Sequence, residues 1–239
     1  MKTKKLTPPF FEIGPKSYLY GDAVLSLALA ADAAAKRYGV DIIFTTPVAD
    51  IRRVSEATER LFVFAPHMDP IPVGRGLAEI LPESIQAAGA QGVMLNHCEK
   101  PLTLSALNQS IRRAEALGLM TIVCADSIAE ARAAAQLKPD IIVAEPTELI
   151  GSGQTSSMDY VKTSIHSIKE IDPEIMVLQG AGISCGTDVF RVIAAGAEAT
   201  GSSSGIVKAP NPAAMVDEMI GAVRQAWDQR MKTAESLFL

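Results

Sequence analysis

Short aliphatic runs recur along the chain, separated by longer stretches of mixed apolar and polar residues. The runs lie at 10–13, 40–44, 61–64, 92–95, 120–124, 140–143, 175–178 and 197–201. All except the last are too apolar to leave a solvated face, which is the pattern of parallel strands covered on both sides. The last run, with Ala197, Glu198, Ala199 and Thr200, lacks large aliphatic side chains and is the weakest strand signal. Between the runs the pattern turns helical. Residues 21–38 are rich in Ala and Leu and stop at Gly39, a C-cap signal. Ser127 and Glu130 form a capping-box pattern opening a helix to Leu137. A further helix is expected over 102–117, ending at Gly118, and Asn211-Pro212 starts a long final one.

No linker or low-complexity segment divides the chain, so residues 1–239 read as a single domain, with 1–8 and 231–239 as candidate flexible tails. Eight strand–helix units in roughly 240 residues match an α/β fold of the closed (β/α)8 type, the TIM barrel. The competing open, doubly wound sheet would usually carry a G-x-G-x-x-G turn after its first strand, and none stands there.

Composition narrows the function. The chain is 48% hydrophobic but only 5% aromatic, which suits Ala-rich helices packed on aliphatic strands. Its net charge of −5, without a basic block, argues against a nucleic-acid groove. Cys98, Cys124 and Cys185 give neither a disulfide framework nor a zinc spacing, so no metal site is expected, and the expected location is the reducing cytoplasm. The longest apolar stretch, 23–35, is short and carries Asp32, so no membrane partner is expected.

In a barrel the chemistry belongs at the C-terminal strand ends. Lys16, His97, Glu145, Gly182 and Ser204 all follow strand runs. Glu145 is the sharpest case: a carboxylate closes the run ending in Ile142-Val143-Ala144, and Pro146 and the stretch Ile150-Gly151-Ser152-Gly153 follow. A base held by a buried strand beneath a mobile loop can move protons away from water. Taken singly, each residue has a blander reading: Glu145 as a solvated rim charge, His97 as a core histidine, Lys16 as a surface lysine. Cys98 beside His97 lacks the third group that would orient a thiol nucleophile and its base. His67 reads as structural or as an interface residue, and His166 as exposed.

Four segments taken together carry a resemblance. They are Gly14-Pro15-Lys16, Asn96-His97-Cys98-Glu99-Lys100, Ala144-Glu145-Pro146 with its glycine-rich tip, and Gly180-Ala181-Gly182-Ile183-Ser184. In this order they resemble the triosephosphate isomerase family, most of all its shorter archaeal-type branch, from about residue 10 to residue 224. The resemblance implies an aldose–ketose isomerase that interconverts dihydroxyacetone phosphate and glyceraldehyde 3-phosphate, a step of glycolysis and gluconeogenesis. Glu145 would be the base, His97 a neutral electrophile and Lys16 the electrostatic stabiliser. This protein family is itself a standard illustration of such a pairing, with the histidine kept neutral by a helix N-terminus. Phosphate would be held by backbone at Gly151, Gly182, Ile183, Ser184, Ser203 and Ser204, and Glu99 would support Lys16. No cofactor is required, and a homodimer or homotetramer is implied.

Three positions depart from the family pattern. Gly14 stands where Asn is usual, Cys98 where Ser is usual, and Lys100 where Arg is usual. The room left by Gly14 raises an alternative, an isomerase of a four-carbon ketose phosphate. A non-catalytic phosphate-ligand sensor on the same scaffold is a second alternative, and a Schiff-base lyase or aldolase using Lys16 a third. The loop 69–76 would either dock on a neighbouring subunit or cover the pocket of its own.

Overall fold

Each aliphatic run forms a strand that pairs in parallel with two neighbours. The structure, a computed structural model, describes residues 5–149 and 155–236. The strands are β1 Phe10–Ile13, β2 Asp41–Thr45, β3 Leu61–Ala65, β4 Gly92–Leu95, β5 Met120–Ala125, β6 Ile141–Ala144, β7 Met176–Gln179 and β8 Ala199–Ser202. They close in sequence order into an eight-stranded barrel. Closure is made by β1 against β8, with Phe10 opposite Ala199, Glu12 opposite Gly201 and Ile13 opposite Ser202. The helices are α1 Asp22–Tyr38, α2 Ile51–Ala57, α3 Pro82–Ala87, α4 Leu104–Ala116, α5 Ile128–Ala135, α6 Met158–Lys169, α7 Gly186–Ala194, α8 Ser204–Val207 and α9 Pro212–Ser236.

Strand geometry divides the apolar residues into two cores, because successive side chains point to opposite faces. Phe10, Ile43, Phe62, Phe64, Ile122 and Val143 belong to the cluster that fills the barrel. Phe11, Ile13, Ile42, Phe44, Val63 and Val123 belong to the one shared with the helices. Both sets are buried. That is why the strand runs lack polar alternation.

The local signals act largely as the sequence predicts. Gly39 adopts φ 61° and its N–H donates to Ala35 O at 3.0 Å, ending α1. Ser127 Oγ accepts the Glu130 N–H at 3.2 Å, but the Glu130 carboxylate returns to the Asp126 N–H at 2.8 Å, one residue before the box. The α5 helix stops at Ala135, short of Leu137. The α4 helix begins at Leu104, where the Thr103 hydroxyl caps the Ala106 N–H. The last strand lies at Ala199–Ser202 rather than 197–201.

Both expected tails are partly built into the fold. Leu6 is buried in the barrel cluster, and Asp41 Oδ2 accepts from Thr7 N at 3.1 Å and Thr7 Oγ1 at 3.2 Å, tying residues 6–7 to β2. At the other end α9 runs on through Ser236, so 231–236 continue a helix.

Gly92 shows how tightly the barrel closes around its contents. A Cβ there would lie 2.3 Å from the Phe64 ring and 2.7 Å from the Met120 carbonyl. The backbone oxygen is fixed in the ladder and cannot retreat. Gly92→Ala is therefore expected to cost about 2 kcal/mol through overpacking. A melting curve should show Tm lowered by about 5 °C.

Candidate active site

The strands' C-terminal ends deliver the candidate residues to one rim. After β1 the chain passes through Gly14 and Pro15 to Lys16, which adopts φ 49°. Few residues with a side chain take that conformation, and it persists only where the surroundings enforce it. Lys16 Nζ meets Glu99 Oε1 at 3.0 Å, an ion pair that positions its charge on the rim.

After β4, Asn96 also takes a left-handed φ of 58°. Its amide explains how this turn is held: Nδ2 donates to Cys124 O at 3.0 Å and Oδ1 accepts from Leu102 N at 2.9 Å. His97 sits on that anchored turn. Its Nδ1 accepts the Glu99 N–H at 3.1 Å, so the proton of the neutral ring is assigned to Nε2. Burial, helped by the charge of Lys16, pushes the imidazole pKa down. A short turn separates His97 from the helix that follows. The Lys100 N–H closes a turn on His97 O at 2.7 Å, and α4 starts only at Leu104.

After β6, Glu145 extends the ladder by donating its N–H to Ala125 O at 3.0 Å. Its Oε1 accepts the Ala181 N–H at 2.8 Å. Burial raises the carboxyl pKa above its ordinary range, and the Ala181 N–H and Lys16 pull against that rise. A Cβ on Gly180 would lie 3.0 Å from Glu145 Oε1, so the carboxyl uses space that this glycine leaves.

Lys16, His97 and Glu145 line one cavity of about 700 Å³, together with Glu99, Gly182, Ile183, Ser203 and Ser204. The loops after β7 and β8 lock together along it. Ser202 Oγ donates to Ile183 O at 2.8 Å, and a Cβ on Gly205 would come within 2.5 Å of the same oxygen. Ser184 stands apart from these cavity residues. It is exposed, and its N–H and Oγ both donate to Asp188 Oδ2, at 3.0 and 2.8 Å, so a nearby carboxylate already takes these donors. Gly151 and the rest of 150–154 lie outside the described residues. The Cys98 thiol has its pKa raised by burial, which disfavours the thiolate.

A sequence model of the triosephosphate isomerase family matches residues 16–219. The chain belongs to the triosephosphate isomerase family. It is 34% identical to a triosephosphate isomerase of Saccharolobus solfataricus over 92% of this chain and 99% of that protein. It is 37% identical to one of Methanobacterium bryantii, over 90% of this chain and 97% of that protein. A third, from Sulfurisphaera tokodaii, is 34% identical over 94% of this chain and all of its own length.

For a triosephosphate isomerase relative, one residue on this rim comes unannounced. Glu12 lies inside β1, where the run Phe10–Ile13 reads as simply apolar. The barrel sets its direction, since Phe10 faces the interior and Glu12 is two residues on. Burial raises its pKa to about 7, with a further push from Glu145 and opposing pulls from Thr45 and Lys16. The Thr45 hydroxyl nevertheless makes no hydrogen bond within normal geometry among the described residues, so burial is the dominant cause.

This shift has a sign in the stability curve. Between about pH 4.5 and 7 the folded state holds a proton on Glu12 that the unfolded chain has released, so stability falls as pH rises through that window. Glu12→Gln removes the ionisation. The variant should match the parent near pH 4.5 and exceed it at pH 8.5, by at most about 3 kcal/mol. Urea denaturation at the two pH values checks this.

Proposed function

We propose that this protein interconverts dihydroxyacetone phosphate and glyceraldehyde 3-phosphate through an enediolate. Glu145 acts as the base, taking a proton from one carbon and returning it to the next. Its raised pKa suits that work, because a base with a pKa nearer the working pH is stronger when ionised. His97 Nε2–H hydrogen-bonds the substrate oxygens and steadies the negative charge that forms on them. Lys16 supplies the positive charge in the same place, positioned by Glu99. Backbone at Gly182, Ile183, Ser203 and Ser204 holds the phosphate, with Gly151 contributing from the lid. The reading rests above all on the tautomer of His97: its Nδ1 is occupied by the Glu99 N–H, leaving a neutral donor on the cavity that Glu145 shares.

The relatives described above are named for the triose enzyme, which favours this reaction over the tetrulose phosphate isomerase and the sensor. The ion pair between Lys16 and Glu99 weighs against a Schiff-base enzyme. No helix among the described residues is long and apolar enough to cross a membrane. We place the protein in the cytoplasm, in glycolysis and gluconeogenesis, as a homodimer or homotetramer. Val73 and Leu77, both largely exposed beside the pocket, support an assembly through that segment.

Glu145→Gln keeps the shape of the side chain and removes the base. Turnover of either triose phosphate is expected to fall by about three orders of magnitude, with Tm within a few degrees of the parent. Incorporation of solvent deuterium into dihydroxyacetone phosphate should fall in parallel. A variant that keeps most of its turnover would remove Glu145 from the role.

A further inference from the structure

The interior face of β1 ends on a carboxyl that the proposed reaction does not use. Glu12 is 9% exposed, and its Oε1 has no hydrogen-bond partner among the described residues. Thr45 Oγ1, on the neighbouring strand, is likewise buried without a partner. Both residues line the cavity that holds Lys16, His97 and Glu145. Thr45 lies close enough to pull on the Glu12 carboxyl without closing a normal hydrogen bond, so the carboxyl on this cavity wall is left short of a full partner, and buried polar atoms are almost always paired.

The glycines nearby make this placement specific. A Cβ on Gly14 would stand 3.0 Å from Glu12 Oε1, and one on Gly201 3.1 Å from Oε2. The carboxyl therefore fills space that two missing side chains leave on the cavity rim. Glu12 and Gly14 act as a matched pair, since a side chain at 14 would crowd the carboxyl.

The surroundings decide in which form Glu12 works. The charged groups facing it are Lys16, after β1, and Glu145, after β6. Lys16 is already engaged by Glu99 at 3.0 Å. β2 contributes the uncharged Thr45, and β8 contributes Gly201. β5 contributes Cys124, whose buried thiol has its pKa raised well above the ordinary value. A carboxylate here would face Glu145 and an incoming phosphorylated anion without a cation of its own. The acid form meets neither penalty and carries a proton to donate.

We propose that Glu12 is a substrate-contacting residue that donates a hydrogen bond, as a neutral carboxylic acid, to a substrate oxygen beside Gly14. This deepens the isomerase reading and rests on it. A neutral donor steadies the oxygen without drawing Lys16 away from the charge that Glu145 generates. A pKa of about 7 in the free protein is consistent with it. A bound anion raises that value further, so the acid form is held most firmly when substrate is present.

The test is the pH profile of three proteins with dihydroxyacetone phosphate. In the parent, kcat/KM should fall about tenfold per pH unit above roughly pH 7, and the fall in kcat should begin at higher pH, because substrate holds the proton on Glu12. Glu12→Gln keeps a neutral donor and should lose this alkaline limb. Glu12→Ala should also lack the limb, with kcat/KM at pH 6 about 10- to 100-fold below that of Glu12→Gln. Calorimetric binding of dihydroxyacetone phosphate at pH 6 and 8.5 reads the same contact without turnover, and parent affinity should weaken between the two while that of Glu12→Gln does not. An alkaline limb shared by parent and Glu12→Gln, or equal values for the Gln and Ala variants, would overturn the role of Glu12 while leaving the isomerase intact. Absence of both turnover and binding at every pH would overturn the isomerase reading and this contact with it.

Discussion

The pairing of β1 with β8 is the constraint on which the structure depends. Without it the strands would form an open sheet with two edges, and the residues after β1, β6 and β8 would not face a common centre. With it, every strand's carboxyl end lies on one rim, and Lys16, His97 and Glu145 reach the same cavity although the first and last are 129 positions apart. Closure also explains the makeup of the weakest strand. β8 is built of Ala199, Thr200, Gly201 and Ser202, and a larger residue than Gly201 would strike the Glu12 backbone oxygen at 2.8 Å. The same register that makes β8 hard to recognise as a strand lets the ring shut around a buried carboxyl.

The rim residues are held from below by backbone and amide contacts. Asn96 reaches β5 with one end of its amide and, with the other, Leu102 in the segment leading to α4. That clamp sets the turn on which His97 stands, and the Glu99 N–H then fixes which ring nitrogen carries the proton. Glu99 thus serves the site twice, with its N–H for His97 and its carboxylate for Lys16. Burial and the neighbouring Lys16 hold the imidazole pKa down.

Much of this was legible in the sequence, for reasons that differ by element. The inner and outer faces of β2, β3 and β5 both carry large aliphatic or aromatic residues, so continuous apolarity identified them. Strand limits shifted by a residue or two, as at β6, where Ala144 still pairs with Ala125 and Gln179 beyond the expected end. The contact of Ser184 with Asp188 was not legible, because the acceptor lies four residues on in a different element and no motif marks it. Glu12 was hidden by its neighbours. A single carboxyl among Phe10, Phe11 and Ile13 does not break an apolar run, and its burial depends on glycines at 14 and 201 that only the folded register brings together. The candidates the sequence offered all follow strands; Glu12 lies within one.

The contact between Gly205 and the Ile183 carbonyl, reinforced by the Ser202 hydroxyl, joins the loops after β7 and β8 into one body. Neither loop can change its path alone without colliding with the other. Evolution or an engineer seeking a different anionic headgroup would have to exchange both together, as one cassette.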